Sequence, residues 1–236
     1  MRQTVFVFFF LMYNIALFAQ INFQMFRNET QIVPQDSMSL QFGIENTNFF
    51  KNNEYFNDIT KGYTLIGASI HPKLLFFPSE RTKLAVGVFA LKYSGIDKFS
   101  ETQPTIRFHF QANPNIAIVM GNIYGAANHR LTEPMYGFER RFNRQIENGV
   151  QFLFDYGHFF SDIWLQWEQF IFHQSPYQEQ LAIGTKNRVS FFDHQQRFGL
   201  EIPFDATGFH KGGQIDTCTA PLTTLLNAMA GIHVSI

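Results

Sequence analysis

Apolar and polar residues alternate along this chain with a period of two. Over 37–45, Met38, Leu40, Phe42 and Ile44 are apolar, while Ser37, Ser39, Gln41 and Glu45 are polar. Ile106, Phe108 and Phe110 interleave with Arg107, His109 and Gln111. Val150, Phe152, Phe154 and Tyr156 interleave with Gln151 and Asp155, and Phe198, Leu200, Ile202, Phe204 and Ala206 with Arg197, Glu201 and Asp205. Successive side chains of a strand point to opposite faces, so this pattern puts every apolar residue of a run on one face. A helix would scatter the same residues all round.

Less regular strands are expected over about 62–72, 83–93, 115–124, 161–173, 178–190 and 222–234. Turn signals separate them at Asn52-Asn53, Pro78-Ser79, Ser94-Gly95, Asn113-Pro114, Ser175-Pro176 and Lys211-Gly212-Gly213. The stretch 125–143 is polar and irregular and reads as a long loop. About ten strands result, with no helix. Several are nine or more residues long, where ordinary strands peak at about 5–6 and a membrane-crossing strand needs about 9–11.

Export fits that picture. Arg2 and the apolar stretch 5–18, followed by Ala19-Gln20, have the three parts of a signal peptide. This divides the chain into a leader, 1–19, and one domain, 20–236. The single cysteine, Cys218, excludes an internal disulfide, so an exported domain must rely on backbone ladders and packing. Thirty of 236 residues are Phe and only 16% are charged, against roughly 25% in soluble domains. The fold expected is an all-β, antiparallel transmembrane β-barrel, complete or an amino-terminal part of a larger one. Its rings would face lipid and its polar residues the interior.

The interior would carry Arg107, His109, Gln111, Gln151, Asp155, Asp162, Trp164, Gln166, Glu168, Lys186, Arg188, Arg197, Glu201 and Asp205. Asp162, Trp164, Gln166 and Glu168 share a face at spacing two, which could stack and hydrogen-bond a sugar. Arg140-Arg141 is expected to meet solvent or lipid headgroups. The eight histidines show no zinc spacing, and no nucleophile elbow or phosphate loop occurs. No cofactor is implied. A net charge of −1 excludes a basic nucleic-acid footprint. A Ser/His pair converging in space, as in barrel-borne lipid hydrolases, and a carboxylate pair for glycoside hydrolysis stay open.

The leader ending Leu17-Phe18-Ala19-Gln20, the stretch Glu147-Asn148-Gly149-Val150-Gln151-Phe152, Trp164-Leu165-Gln166-Trp167-Glu168-Gln169 and His210-Lys211-Gly212-Gly213-Gln214-Ile215-Asp216 resemble porin-like outer-membrane barrels of Bacteroidetes. The end of the chain, Gly231-Ile232-His233-Val234-Ser235-Ile236, departs from the terminal aromatic such barrels carry. The resemblance implies a Gram-negative outer-membrane location and passive passage or binding of small solutes, saccharides among them, with no enzymatic activity. Its partners would be outer-membrane lipid and the solute; no residue argues for a homo-oligomer. The alternatives are a secreted β-sandwich that binds glycan or protein, and a barrel-borne lipid or glycan hydrolase.

Overall fold

The computed structural model describes residues 27–29, 32–56, 61–132, 135–137, 139–191 and 198–235. The expected leader and Arg197 lie outside them. Eleven strands form one antiparallel sheet: β1 (Leu40–Phe56), β2 (Lys61–Ser79), β3 (Thr82–Tyr93), β4 (Glu101–Asn113), β5 (Ile116–Asn122), β6 (Asn148–Asp155), β7 (Phe159–Gln169), β8 (Gln180–Ser190), β9 (Gly199–Lys211), β10 (Thr223–Ala230) and β11 (His233–Ser235). Each strand up to β10 pairs with the next, and β11 also pairs with β9. Among the described residues no ladder joins β1 to β10, so the sheet has two free edges.

Alternation fixes what each face carries. On β4, Ile106 is 61% exposed and its neighbour Arg107 only 6%. The same inversion runs across the sheet. Phe42, Leu74, Val86, Phe152, Ile163, Ile183 and Phe204 are exposed, while Lys73, Lys83, His109, Gln151, Asp162 and Asp205 are buried. Water would drive the opposite arrangement. An apolar exterior over a polar interior is the pattern of a sheet solvated by lipid. A single sheet so arranged overturns the β-sandwich alternative, which needs two sheets with their apolar faces turned inward.

Two expectations about the strands are corrected. Asn52-Asn53 is no turn: β1 continues to Phe56 because Lys51, Asn52 and Asn53 stay in register with Leu65, Thr64 and Tyr63, and a bulge follows. Among the described residues three helical turns also occur, Pro34–Asp36, Ala126–His129 and Arg140–Asn143. The connections are unequal at the two ends. At one end 80–81, 114–115 and 156–158 are tight, and 191–198 is longer. At the other lie 94–100, 123–147, 170–179 and 212–222. Outer-membrane barrels keep short turns on the periplasmic side and long loops outside.

The loop 123–147 is the core. At Gly121 the backbone turns to φ 83, and a Cβ there would sit 2.2 Å from the Ile106 carbonyl oxygen. Only glycine lets the chain leave the β5 ladder this way. The loop then turns inward, burying Ile123, Tyr124, Ala127, His129, Leu131 and Phe142. It reaches strands all round the sheet. Phe142 stacks against Phe49 of β1 with ring centroids 5.0 Å apart. Thr132 reaches Asp205 of β9 at 3.3 Å and Met229 of β10 at 2.8 Å. The sheet therefore curls round this loop, with Tyr124 and Trp164 in one apolar cluster and Phe49, Phe89 and Phe142 in another.

Candidate functional site

At the centre of the loop lies His129, with no exposed surface. Its ring stacks on Trp164 of β7 at 3.6 Å between centroids. Nδ1 lies 2.8 Å from Asp162 Oδ2, and Nε2 lies 3.1 Å from Glu147 Oε2. Gln151 Nε2 donates to the second Asp162 oxygen at 2.9 Å. Glu147 Oε1 accepts from the Ala126 N–H at 3.0 Å and the Tyr136 hydroxyl at 2.8 Å. Burial alone would lower the imidazole's proton affinity. The Asp162 charge and hydrogen bond, with Glu147, outweigh it and hold the pKa up to about 9. Burial pushes the Glu147 carboxyl up, but the His129 hydrogen bond and charge bring it below its ordinary value. The result is an imidazolium clamped between two carboxylates, with both ring nitrogens occupied. It ties β7, the start of β6 and the loop together.

Beside this lock a cavity of about 340 Å³ opens, walled by Ser69, His71 and Phe89 on the sheet and by Gly125 to Asn128 on the loop. Arg107 and Arg141 also face it. Ile44 and Asn46 line it too, although they point to the outer face of β1. The cavity therefore reaches round the free edge of that strand.

Two side chains of its wall, Glu45 and His71, form a chain of contacts with the buried Thr105. Glu45 on β1 and His71 on β2 are direct register partners, so both point inward at one level. Thr105 lies on β4, two strands from His71. Between them stands Gly87 of β3, the register partner of both Lys73 and Thr105. A Cβ at Gly87 would meet the Pro72 carbonyl oxygen at 2.5 Å and Lys73 Cβ at 2.8 Å. With β2 and β3 this close, His71 Nε2 reaches across to Thr105 Oγ1 at 2.8 Å. His71 Nδ1 lies 3.4 Å from Glu45 Oε2. Lys73 holds the other Glu45 oxygen. A hydroxyl, an imidazole and a carboxylate in this order can move a proton from the hydroxyl to Nε2, with Nδ1–H facing the carboxylate.

The expected interior residues divide between these features and plain structural pairing. Gln151, Asp162 and Trp164 belong to the lock. Arg107 donates to Asn122 Oδ1 at 3.0 Å and the Ile123 carbonyl at 3.1 Å, and stands 4.1 Å over the Tyr124 ring. His109 Nδ1 meets the Tyr124 hydroxyl at 3.1 Å. Gln166 accepts from Arg140 at 3.1 Å, and Glu168 from Arg140 at 2.8 Å and Arg144 at 2.6 Å. Lys186 pairs with Asp205 at 2.9 Å and Arg188 with Glu201 at 3.7 Å. Gln111 caps the β4–β5 turn, donating to Asn113 O at 2.7 Å. Asp155 is exposed at the end of β6 and accepts from Gly157 N at 3.1 Å.

Two expectations change with this geometry. Trp164 offers no open platform for a sugar, because His129 covers a face of its ring. Arg140 does not point to solvent or headgroups: it lies 4.3 Å over the Tyr136 ring and ties the loop to β7. Among the described residues no cluster of His, Cys, Asp or Glu has the geometry to hold a metal. Sequence reasoning missed Glu45, His71, Thr105, His129 and Glu147 as a set. The parity of each strand places the first three on the inner face, and that signal was readable. The level at which they meet depends on register.

Comparison with known proteins corrects two further expectations. No curated protein and no solved structure matches the chain. The porin reading and the expectation of no enzymatic activity both give way to a family named for a lipid hydrolase, which fits the third alternative instead. Its family model covers residues 32–236, the whole sheet included, and the chain belongs to the Lipid A 3'-O-deacylase-type family.

Proposed function

We propose that the protein hydrolyses an acyl ester of a lipid A-type glycolipid in the outer leaflet of a Gram-negative outer membrane. The observation that carries this reading is the Glu45–His71–Thr105 chain, whose Glu45 and His71 line a cavity that reaches the lipid-facing edge of β1. Its level supports the same reading. On the outer face of β1 the apolar run Leu40, Phe42, Ile44 gives way to Asn46 and Asn48 beside Glu45. On β4 the outer face changes from Ile106 to Thr102 just past Thr105. Both changes occur toward the long-loop end, where an ester between acyl chain and sugar would sit.

In this mechanism Thr105 Oγ attacks the ester carbonyl as its proton passes to His71 Nε2, and Glu45 steadies the imidazolium. The negative charge that develops on the carbonyl oxygen faces the positive wall at Arg107. The sugar oxygen leaves with the proton from His71. Water then attacks the acyl-threonine ester with His71 again as base, releasing the fatty acid and restoring Thr105. One observation favours a second reading: Asp162 and His129 stand at 2.8 Å, closer than Glu45 and His71. That dyad would activate a water once Nε2 had passed its proton to Glu147 and Glu147 had moved away.

The test is fatty-acid release from lipid A in mixed vesicles by the purified full chain. His71→Ala and Thr105→Ala should each lose about 10³-fold in rate, while Thr105→Ser retains activity. Full activity in His71→Ala with loss in His129→Gln would transfer the role to the dyad. No release by the wild type would overturn the reading.

A further inference from the structure

We infer that the strap 27–29, ahead of the first strand, completes this site, and that Asn28 is the positioning residue that aims Glu45 at His71. The inference rests on the hydrolytic reading of Glu45, His71 and Thr105. Arg27 and Asn28 line the same cavity. The backbone N–H groups of Asn28 and Glu29 donate to Asn128 Oδ1 at 2.9 and 3.1 Å. Asn128 Nδ2 donates back to Asn28 Oδ1 at 2.8 Å and to the Gly125 carbonyl at 3.0 Å. The strap is thereby pinned to the inward loop.

These bonds orient the Asn28 amide. Its oxygen accepts from Asn128, so its NH₂ group faces the strand. Asn28 Nδ2 donates to Glu45 Oε2 at 2.9 Å. That is the oxygen 3.4 Å from His71 Nδ1. Lys73 holds Oε1. The carboxylate is divided: Lys73 takes one oxygen, and Asn28 keeps the other in front of the imidazole. Among the described residues β1 has a strand neighbour on one side only. Without Asn28, the attraction of Lys73 is free to rotate the carboxylate away from His71. The residue type matters as well. An aspartate would keep the acceptor for Asn128 but would lack the donor for Glu45 and set a second carboxylate against it.

The experiment uses the full chain in detergent micelles and in lipid A vesicles, with heat-modifiable migration as the check on folding. Asn28→Asp should lower kcat about tenfold, the loss of one charge-assisted hydrogen bond. KM should stay within about twofold, because no contact with the lipid is removed. In ¹⁵N-histidine-labelled protein at fixed pH, Asn28→Ala should move the ring nitrogen signals of His71, identified by their absence in His71→Gln, and leave those of His210 in place. An unchanged kcat in Asn28→Asp, or unmoved His71 ring signals in folded Asn28→Ala, overturns the role of Asn28. If the wild type releases no fatty acid, the hydrolytic reading fails, and the His71 ring signals still decide whether Asn28 holds Glu45 in place.

Discussion

Replacing His129 with Gln should remove both the charge that neutralises two buried carboxylates and a pH dependence of stability. Asp162 and Glu147 have no exposed surface, and His129 stands 2.8 and 3.1 Å from them. Breaking a buried ion pair from one side costs about 3–5 kcal/mol, because the remaining charge is left without its partner. Tyr136 and Arg140, the latter 3.9 Å from Glu147, stay in place and should hold the loss toward the lower figure. The pH dependence follows from the raised proton affinity. His129 titrates near 6.5 when unfolded and at about 9 in the fold, a difference worth about 3 kcal/mol. Because the folded value is the higher one, this stabilisation is fully present below pH 6.5 and is lost as pH rises through about 9. Urea unfolding from phospholipid vesicles, followed by the fluorescence of Trp164 and Trp167 from pH 6 to 10, measures it. The wild type should lose about 3 kcal/mol across that window, and His129→Gln should start lower and stay flat through it. A wild type with no slope between pH 6.5 and 9.5, or a variant with the same slope, would refute the clamped imidazolium.

Gly87→Ala should lower hydrolysis at least about tenfold by pressing on Pro72 and Lys73 and displacing β2, which carries His71, whereas Val86→Ala on the outer face should leave the rate unchanged. Steady-state kinetics of the two variants decides between them. Phe108→Lys, one step deeper than Ile106 on the outer face of β4, should cost about 2–4 kcal/mol in vesicle unfolding if that face meets lipid; a cost near zero would place it in water. Cys218 lies in the connection between β9 and β10, on the long-loop side, and is partly exposed. A membrane-impermeant maleimide should label it on intact cells, and labelling only after the outer membrane is breached would invert the orientation.

Much of the sheet was legible because lipid imposes a strict rule on both faces of a strand. Ile106, Phe108 and Phe110 against Arg107 and His109 need no partner to be read, since parity alone divides them. Asn52-Asn53 misled because a turn preference is local, while the ladder to Leu65 and Thr64 is not. The loop misled for a related reason. Gly125 to Asn143 is polar, and polar loops are usually solvated, but inside this sheet the polar side is the inner side. His129, Tyr136 and Arg140 are therefore matched to Asp162, Glu147 and Glu168 rather than to water. Glu45, His71 and Thr105 come from three strands. Their meeting depends on register and on the absent side chain of Gly87, and neither is periodic in sequence.

Lipid A extracted from outer membranes of a Gram-negative host, with and without the expressed protein, tests the central claim most directly by mass spectrometry. Expression of the wild type should shift the lipid A mass by the loss of one ester-linked acyl chain, with free fatty acid recovered in equal amount. Thr105→Ser should give the same shift, and His71→Ala, folded and inserted to the same level, should leave the mass unaltered. An unaltered mass with abundant folded wild-type protein in the membrane would contradict the account.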